Sequence, residues 1–229
     1  MDAAVGAWLS APAADRHADA GPGPHNGAEH PGLEDAGLVA VAVDGKTVRG
    51  ALDAGGEQVH LLAAATHGEQ LVLGQVEVGA KSNESPQFAP LLDGLTAVGV
   101  DLRGTVVTAD ALPSQRGHAE YLHGVGAEFV LTVKLNQPRL YAALDALPWA
   151  ATPTAVREVD RGHGRVITRT VQVLPAPADL PFPHVNQAWL IERYTHDLDG
   201  TLCSAVAAMG VTSLSSTRAT RRRHRRPRL

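Results

Sequence analysis

The chain has 229 residues, 44% of them hydrophobic and only 4% aromatic, enough for one large domain or two small ones with a core built mainly from Val, Leu and Ala. No apolar run reaches the roughly 18 residues needed to cross a bilayer, and the start, with Asp2 and no basic cluster, does not read as a secretory leader. The single cysteine, Cys203, excludes an internal disulfide, so the expectation is a cytoplasmic protein with no membrane partner.

The net charge of −4 hides an asymmetry: from Arg218 onward there are seven arginines and no acid, so residues 1–217 hold 13 of the 20 basic residues against all 24 acids. An acidic body with a basic end reads as carrying a solvated, disordered arm, with a nucleic-acid contact as the other reading. Lysine occurs only as Lys46, Lys81 and Lys134, each in a polar island between apolar, strand-like stretches.

Residues 1–36 hold a short apolar start and then "GPGPHNGAEHPG", which reads as a linker. Regular structure is expected from Gly37. "LVAVAVDGKTVRG", "VHLLAAATH" and "LVLGQVEVGA" are β-type runs separated by short breaks, as in an antiparallel meander. "ESPQFAPLLDGLTAVG" has helical spacing at Phe88, Leu91, Leu92 and Leu95. "GTVVTADA" is a short buried strand, "SQRGHAEYLHGVGA" a helix and "EFVLTVK" a strand. "QPRLYAALDAL" is a helix opening at Pro138. The order β-β-β-α-β-α-β-α predicts an α/β fold: a ribonuclease H-like core with a mixed five-stranded sheet and helices. A β-rich C-terminal part is expected to follow, from "HGRVITRTVQVLP", "QAWLIERYTH" and "CSAVAAMGVTSL".

Two carboxylates stand out. Asp44 lies within the first strand and Asp110 ends the fourth, each flanked by apolar residues. If those strands run side by side and parallel, the two converge. Carboxylates that close repel unless a cation lies between them, and hard oxygen donors suit Mg²⁺. The alternative is that each Asp begins a turn. "KSNES" places Lys81, Asn83 and Glu84 before a helix, with Ser82 or Asn83 as a cap. Lys134, Asn136 and Gln137 leave a strand and could reach phosphates or bases, or form a plain loop. In "DRGHGRVITRT", Arg161, His163, Arg165 and Arg169 would line one face of a strand, as a positive stripe or as an ordinary solvated face. There is no Gly-rich phosphate loop and no Gly-x-Ser-x-Gly elbow.

Together "VAVDGKTVRGA", "LVLGQVEVGAKSNE", "VVTADALPSQ", "FVLTVKLNQPRLY" and "GHGRVITR" resemble, in order and spacing, the H-repeat-associated (ISAs-type) branch of DDE-type insertion-sequence transposases. The resemblance covers about Asp2 to Ser216. It implies a ribonuclease H-like DDE site using Mg²⁺ or Mn²⁺, two ions in an intact relative. Asp44 and Asp110 match its first two acids as catalytic residues and metal ligands. Lys134, Asn136 and Gln137 match its Lys-Gly-Asn-Gln turn, with Leu135 in place of Gly, where a left-handed backbone would be strained. With Arg165 and Arg169 these form the expected DNA-binding set. Ile167 stands where relatives carry Glu in the basic strand motif. No segment matches the His-Trp-x-x-Glu-Asn helix expected to bring the third acid; Glu158, Glu192 and Asp197 are nearby acids outside any matching motif.

The implied organisation is a remnant of an N-terminal helical domain plus a disordered linker over 1–36, an incomplete catalytic domain over 37–217 and a basic disordered tail over 218–229. The change to nearly pure Arg at residues 217–220 reads as a frameshift or junction. The function expected is metal-dependent DNA strand cleavage and strand transfer in a bacterial insertion sequence, in a truncated, inactive copy. The partners are DNA (element ends and target) and a second copy or an intact transposase. The alternatives are a non-catalytic DNA-binding remnant that interferes with an intact transposase, and an unrelated α/β enzyme acting on a small molecule, which the missing cofactor loop disfavours.

Overall fold

The computed structural model describes residues 39–52, 55–56, 58–68, 70–79, 84–110 and 115–216. The linker over 1–36, the cap candidates Ser82 and Asn83 with Lys81, and the Arg-rich tail lie outside them.

Strand β1 (Ala40–Leu52) opens the sheet, followed by β2 (Gln58–Thr66) and β3 (Val72–Val78). Helix α1 (Phe88–Ala97) leads to β4 (Val106–Ala109), α2 (Arg116–Gly124) to β5 (Glu128–Val133), and α3 (Pro138–Asp145) to the long strands β6 (Thr154–Gly162), β7 (Arg165–Pro175), β8 (Gln187–Asp197) and β9 (Leu202–Thr212). The nine strands among the described residues form one sheet in the order β3-β2-β1-β4-β5-β9-β8-β7-β6. The β-rich C-terminal part therefore does not simply follow the five-stranded portion; β9 runs antiparallel along β5 and makes it continuous with the rest.

Helix formation follows the apolar spacing. Phe88, Leu91, Leu92 and Leu95 are the buried residues of α1, one stripe at i, i+3, i+4 and i+7. Helix α3 starts at Pro138, where the missing N–H costs nothing, and buries Leu140 and Leu144. Helix α2 buries Ala119 and Leu122. These join Val41, Val43, Leu62, Ala64, Val107, Leu131 and Val211 in one cluster. Val41 pairs with Val107, Val43 with Ala64 and Leu131 with Val211, and opposed residues share a sheet face. The three α-helices among the described residues thus cover one face. Strand β4 lies between β1 and β5, with all four residues buried, which is why it does not read as an alternation.

The other face, which carries no helix among the described residues, has its own small cluster of Val171, Trp189 and Ile191, with Val130, Val156 and Ala208 packed against it. Trp189 crosses Gly210: a Cβ there would lie 2.1 Å from the indole and 2.2 Å from the Leu131 carbonyl oxygen. Glycine is required at this point because the ring and a backbone already fill the space.

Candidate active site

Strands β1 and β4 are adjacent and parallel, with Ala40 to Val43 opposite Val106 to Ala109. The paired register ends at Val43 opposite Ala109, and Asp44 and Asp110 are the next residues of the two segments. Because Val43 and Ala109 belong to the helix-covered cluster, alternation puts both aspartates on the opposite face. Asp44 lies inside β1, which continues to Leu52, so it does not begin a turn. Asp110 directly follows the last residue of β4.

Each acid has a lysine. Lys134 Nζ donates to Asp110 Oδ2 at 2.8 Å, with the Lys134 and Asp110 side chains 38% and 22% exposed. Lys46 Nζ stands 3.5 Å from Asp44 Oδ2, with the two side chains 75% and 54% exposed. The first pair is the tighter and more sheltered, so it is the stronger of the two. The sequence had marked all three lysines as unusual, and two of them stand against the two acids. Lys134, expected as a DNA contact, is engaged with Asp110.

Two groups that the sequence did not single out support the strands here. His67 is buried, and its Nε2 lies 2.7 Å from the Thr108 hydroxyl, two residues before Asp110. Burial holds its pKa below the usual histidine range. On the helix-covered side, His60 Nε2 donates to Glu84 Oε1 at 2.8 Å, and its Nδ1 meets the Thr47 hydroxyl at 3.1 Å. Glu84 occupies the place of a side chain at Gly45, since a Cβ there would fall 1.8 Å from Glu84 Oε1. That explains the glycine after Asp44, for which the sequence offered only a turn.

Asn136 and Gln137 lie in the turn between β5 and α3, where the Gln137 amide donates to the Lys134 carbonyl and the Gln137 carbonyl accepts from Tyr141. Leu135 is 74% exposed and is not among the described residues with positive φ. The turn makes no left-handed demand at that position, and the strain expected from replacing Gly does not arise.

The expected basic strand is instead a hairpin. His163 (φ 48°) and Gly164 (φ 72°) are both left-handed, and Gly162 pairs with Arg165. This two-residue loop has the sign of φ that a type I′ turn requires. Arg161 lies in β6 and Arg165 and Arg169 in β7, so the four residues form no single stripe. Arg169 Nη1 donates to Asp160 Oδ2, and Arg165 is opposite Asp197. The nearby acids are elsewhere: Glu158 faces Arg169 across β6 and β7. Glu192 accepts from the Tyr194 hydroxyl at 2.8 Å, and that bond is the main cause of a raised Tyr194 pKa. Asp197 Oδ1 accepts from the Asp199 and Thr201 amides of the β8–β9 turn. Among the described residues no three His, Cys, Asp or Glu side chains are grouped as metal ligands.

Comparison with known proteins places the geometry in a family. The family model of the transposase DDE domain matches residues 35–222. YbfD of Escherichia coli (strain K12), which carries the H repeat-associated transposase name, is 31% identical over 149 residues, covering 61% of this chain and 56% of that protein. YhhI of the same strain, of the same name, is 33% identical over 107 residues, covering 46% of this chain and 27% of that protein. The YncI transposase relative of E. coli O157:H7 is 36% identical over 107 residues, 46% of this chain and 26% of its own length. The matches thus span from about a quarter to about half of these relatives. A piggyBac transposase synaptic complex with hairpin DNA overlaps 76% of this chain and 33% of that chain at a TM-score of 0.38 and 9% identity, too weak a likeness to assign a fold. The family-model match covers most of the chain, and the chain belongs to the transposase DDE domain family, in the H repeat-associated branch.

Proposed function

We propose that the chain forms the strand-cleaving core of a bacterial insertion-sequence transposase, built on a ribonuclease H-like sheet, with Asp44 and Asp110 as its catalytic carboxylates. The observation that carries this reading is the parallel register of β1 and β4, which ends with Val43 opposite Ala109, one residue before each acid. The donor set fits a hard divalent cation such as Mg²⁺ or Mn²⁺, which Asp44 and Asp110 would hold through their carboxylate oxygens. When bound, such a cation supplies charge that activates the attacking oxygen and stabilises the leaving one.

The chain's own residues have distinct tasks. The backbone of β1 and β4 holds the carboxylates close despite their repulsion. Lys134 offsets the charge of Asp110, and its ammonium has the chemistry to meet a phosphate. Asn136, Gln137, Arg165 and Arg169 approach the DNA backbone. Positioning accounts for most of the effect, since phosphodiester attack needs no covalent enzyme intermediate.

A second reading is supported by the same geometry. Both acids are engaged by lysines, and no third acid joins them among the described residues. On that reading the chain binds DNA, cleaves it poorly or not at all, and interferes with an intact transposase. The test is incubation of purified chain with labelled element ends in Mg²⁺ or Mn²⁺, beside Asp110→Asn. Nicking that Asp110→Asn removes supports the first reading. DNA binding without nicking supports the second, and absence of both overturns the two together.

A further inference from the structure

Strands β7 and β8 set two arginines directly opposite each other, Arg169 and Arg193. Directly opposed like charges destabilise a sheet. The cost is not offset equally for the two: Arg169 is bonded to Asp160, whereas the buried Nε of Arg193 has no hydrogen-bond partner among the described residues. Its other neighbours on that face offer no charge. Val206 faces it from β9, Ser204 and Ala208 flank it diagonally there, and Ile167 and Val171 flank it on β7. Glu192, next to it in sequence, points to the opposite face, where Tyr194 binds it. Glu158 and Asp160 of β6 share this face, but both stand on the far side of Arg169 from it, so Arg193 is a half-buried guanidinium whose Nε donor is unmet beside a second guanidinium.

We propose that Arg193, with Arg169 across the ladder, forms a clamp for one DNA backbone phosphate, a contact separate from the Asp44–Asp110 pair. This rests on the DNA-acting function proposed above. The register puts the clamp on the same face as the acids, because Ile191 and Trp189 of that face alternate with Arg193 along β8, and Trp189 lies opposite Gly210, which in turn is opposite Thr132 of β5. The clamp positions the duplex and touches no reacting atom. Its chemistry is planar and bidentate, which a guanidinium provides and an ammonium does not.

The experiment measures binding of a short fluorescent DNA duplex of arbitrary sequence to the full chain and to Arg193→Met and Arg193→Lys, across a salt series, with thermal melting of each. Arg193→Met is expected to bind about tenfold more weakly, with a salt slope smaller by about one phosphate. It should melt no lower than the parent, because it removes an unmet buried donor. Arg193→Lys should recover only part of the affinity. Parent binding with unchanged affinity and slope in Arg193→Met overturns the clamp and leaves the proposed function standing. A lower melting temperature with full DNA affinity in Arg193→Met assigns Arg193 to structure and also overturns it. A parent chain that binds no DNA overturns the function itself, and the clamp with it.

Discussion

The two ends of the sheet are built differently. From β3 to β5 the strands lie beneath three helices, and leucines from all three meet Val41, Val43, Val107 and Leu131 in one layer. From β9 to β6 every strand has 9 or 11 residues and every pair is antiparallel; β8 and β9 give Ala188, Leu190, Met209 and Val211 to the same layer, and a separate cluster on the opposite face has three buried members. The first end draws its stability from layered apolar burial, the second mainly from a long hydrogen-bonded ladder with cross-strand polar pairs. The proposed chemistry divides along the same line: Asp44 and Asp110 stand at strands backed by the helix-covered layer, and the two arginines of the proposed phosphate clamp stand on the ladder.

Truncation in the layered end should therefore cost most. Phe129→Ala is expected to lose about 3–5 kcal/mol, because the ring is fully buried and meets Phe182 edge-on. Ile191→Ala on the ladder should lose only about 2 kcal/mol, the low end for such truncations. Urea denaturation of both variants measures the gap, and equal losses would erase the contrast between the two ends.

The junction offers a sharper probe. Gly210→Ala must displace Trp189 or the β5 backbone, at a cost of about 1–3 kcal/mol. A shifted tryptophan emission with a lower melting temperature is the expected result, and an unperturbed spectrum would show that the ends are not locked through this contact.

Asp110→Asn tests whether the acid pair belongs to a cation. Titration calorimetry with Mn²⁺ should show at least about a tenfold weaker affinity, the loss that even an outer-shell change produces. Unchanged Mn²⁺ binding would place the cation elsewhere.

Acid should weaken the layered end through His67. Its folded pKa lies below its ordinary value of 6.5 because burial disfavours the charge. The unfolded chain therefore takes up the proton first, so the stability from neutral His67 is complete above about pH 6.5 and is lost as pH falls below it. Melting temperature should drop over that range for the parent and less steeply for His67→Gln. Parallel curves would remove His67 as the cause.

The smallest expected effect is in the β6–β7 turn. His163→Asn puts a residue that tolerates left-handed backbone before Gly164, the favoured Asn-Gly pair of a type I′ hairpin. A gain of up to about 0.5 kcal/mol is expected, and a loss would mean that the His163 ring makes a contact worth keeping.

Much was legible in the sequence because it depends on short range. Helix α1 was visible from the 3.6-residue spacing of four apolar residues that are its buried set. Pro138 marked the start of α3, and the sequential order of strands and helices through α3 follows from local periodicity and breaks. Asp44 and Asp110 stood out as carboxylates in apolar surroundings, and their sequence predicted one shared face. What the chain alone left open was long range. The hairpin at His163–Gly164 was hidden because two left-handed residues interrupt a run whose composition is β-like on both sides. Strand β6, the return of β9 to β5, and the lysine against each acid are pairings between distant segments. Likewise, no local pattern reveals that Glu84 fills the space at Gly45 or that Arg193 stands opposite Arg169. Periodicity decides which element forms and which side chains share its face. Which neighbour that face meets depends on the packing of the whole sheet, and in this protein that packing decided the surroundings of the acids and of the basic surface.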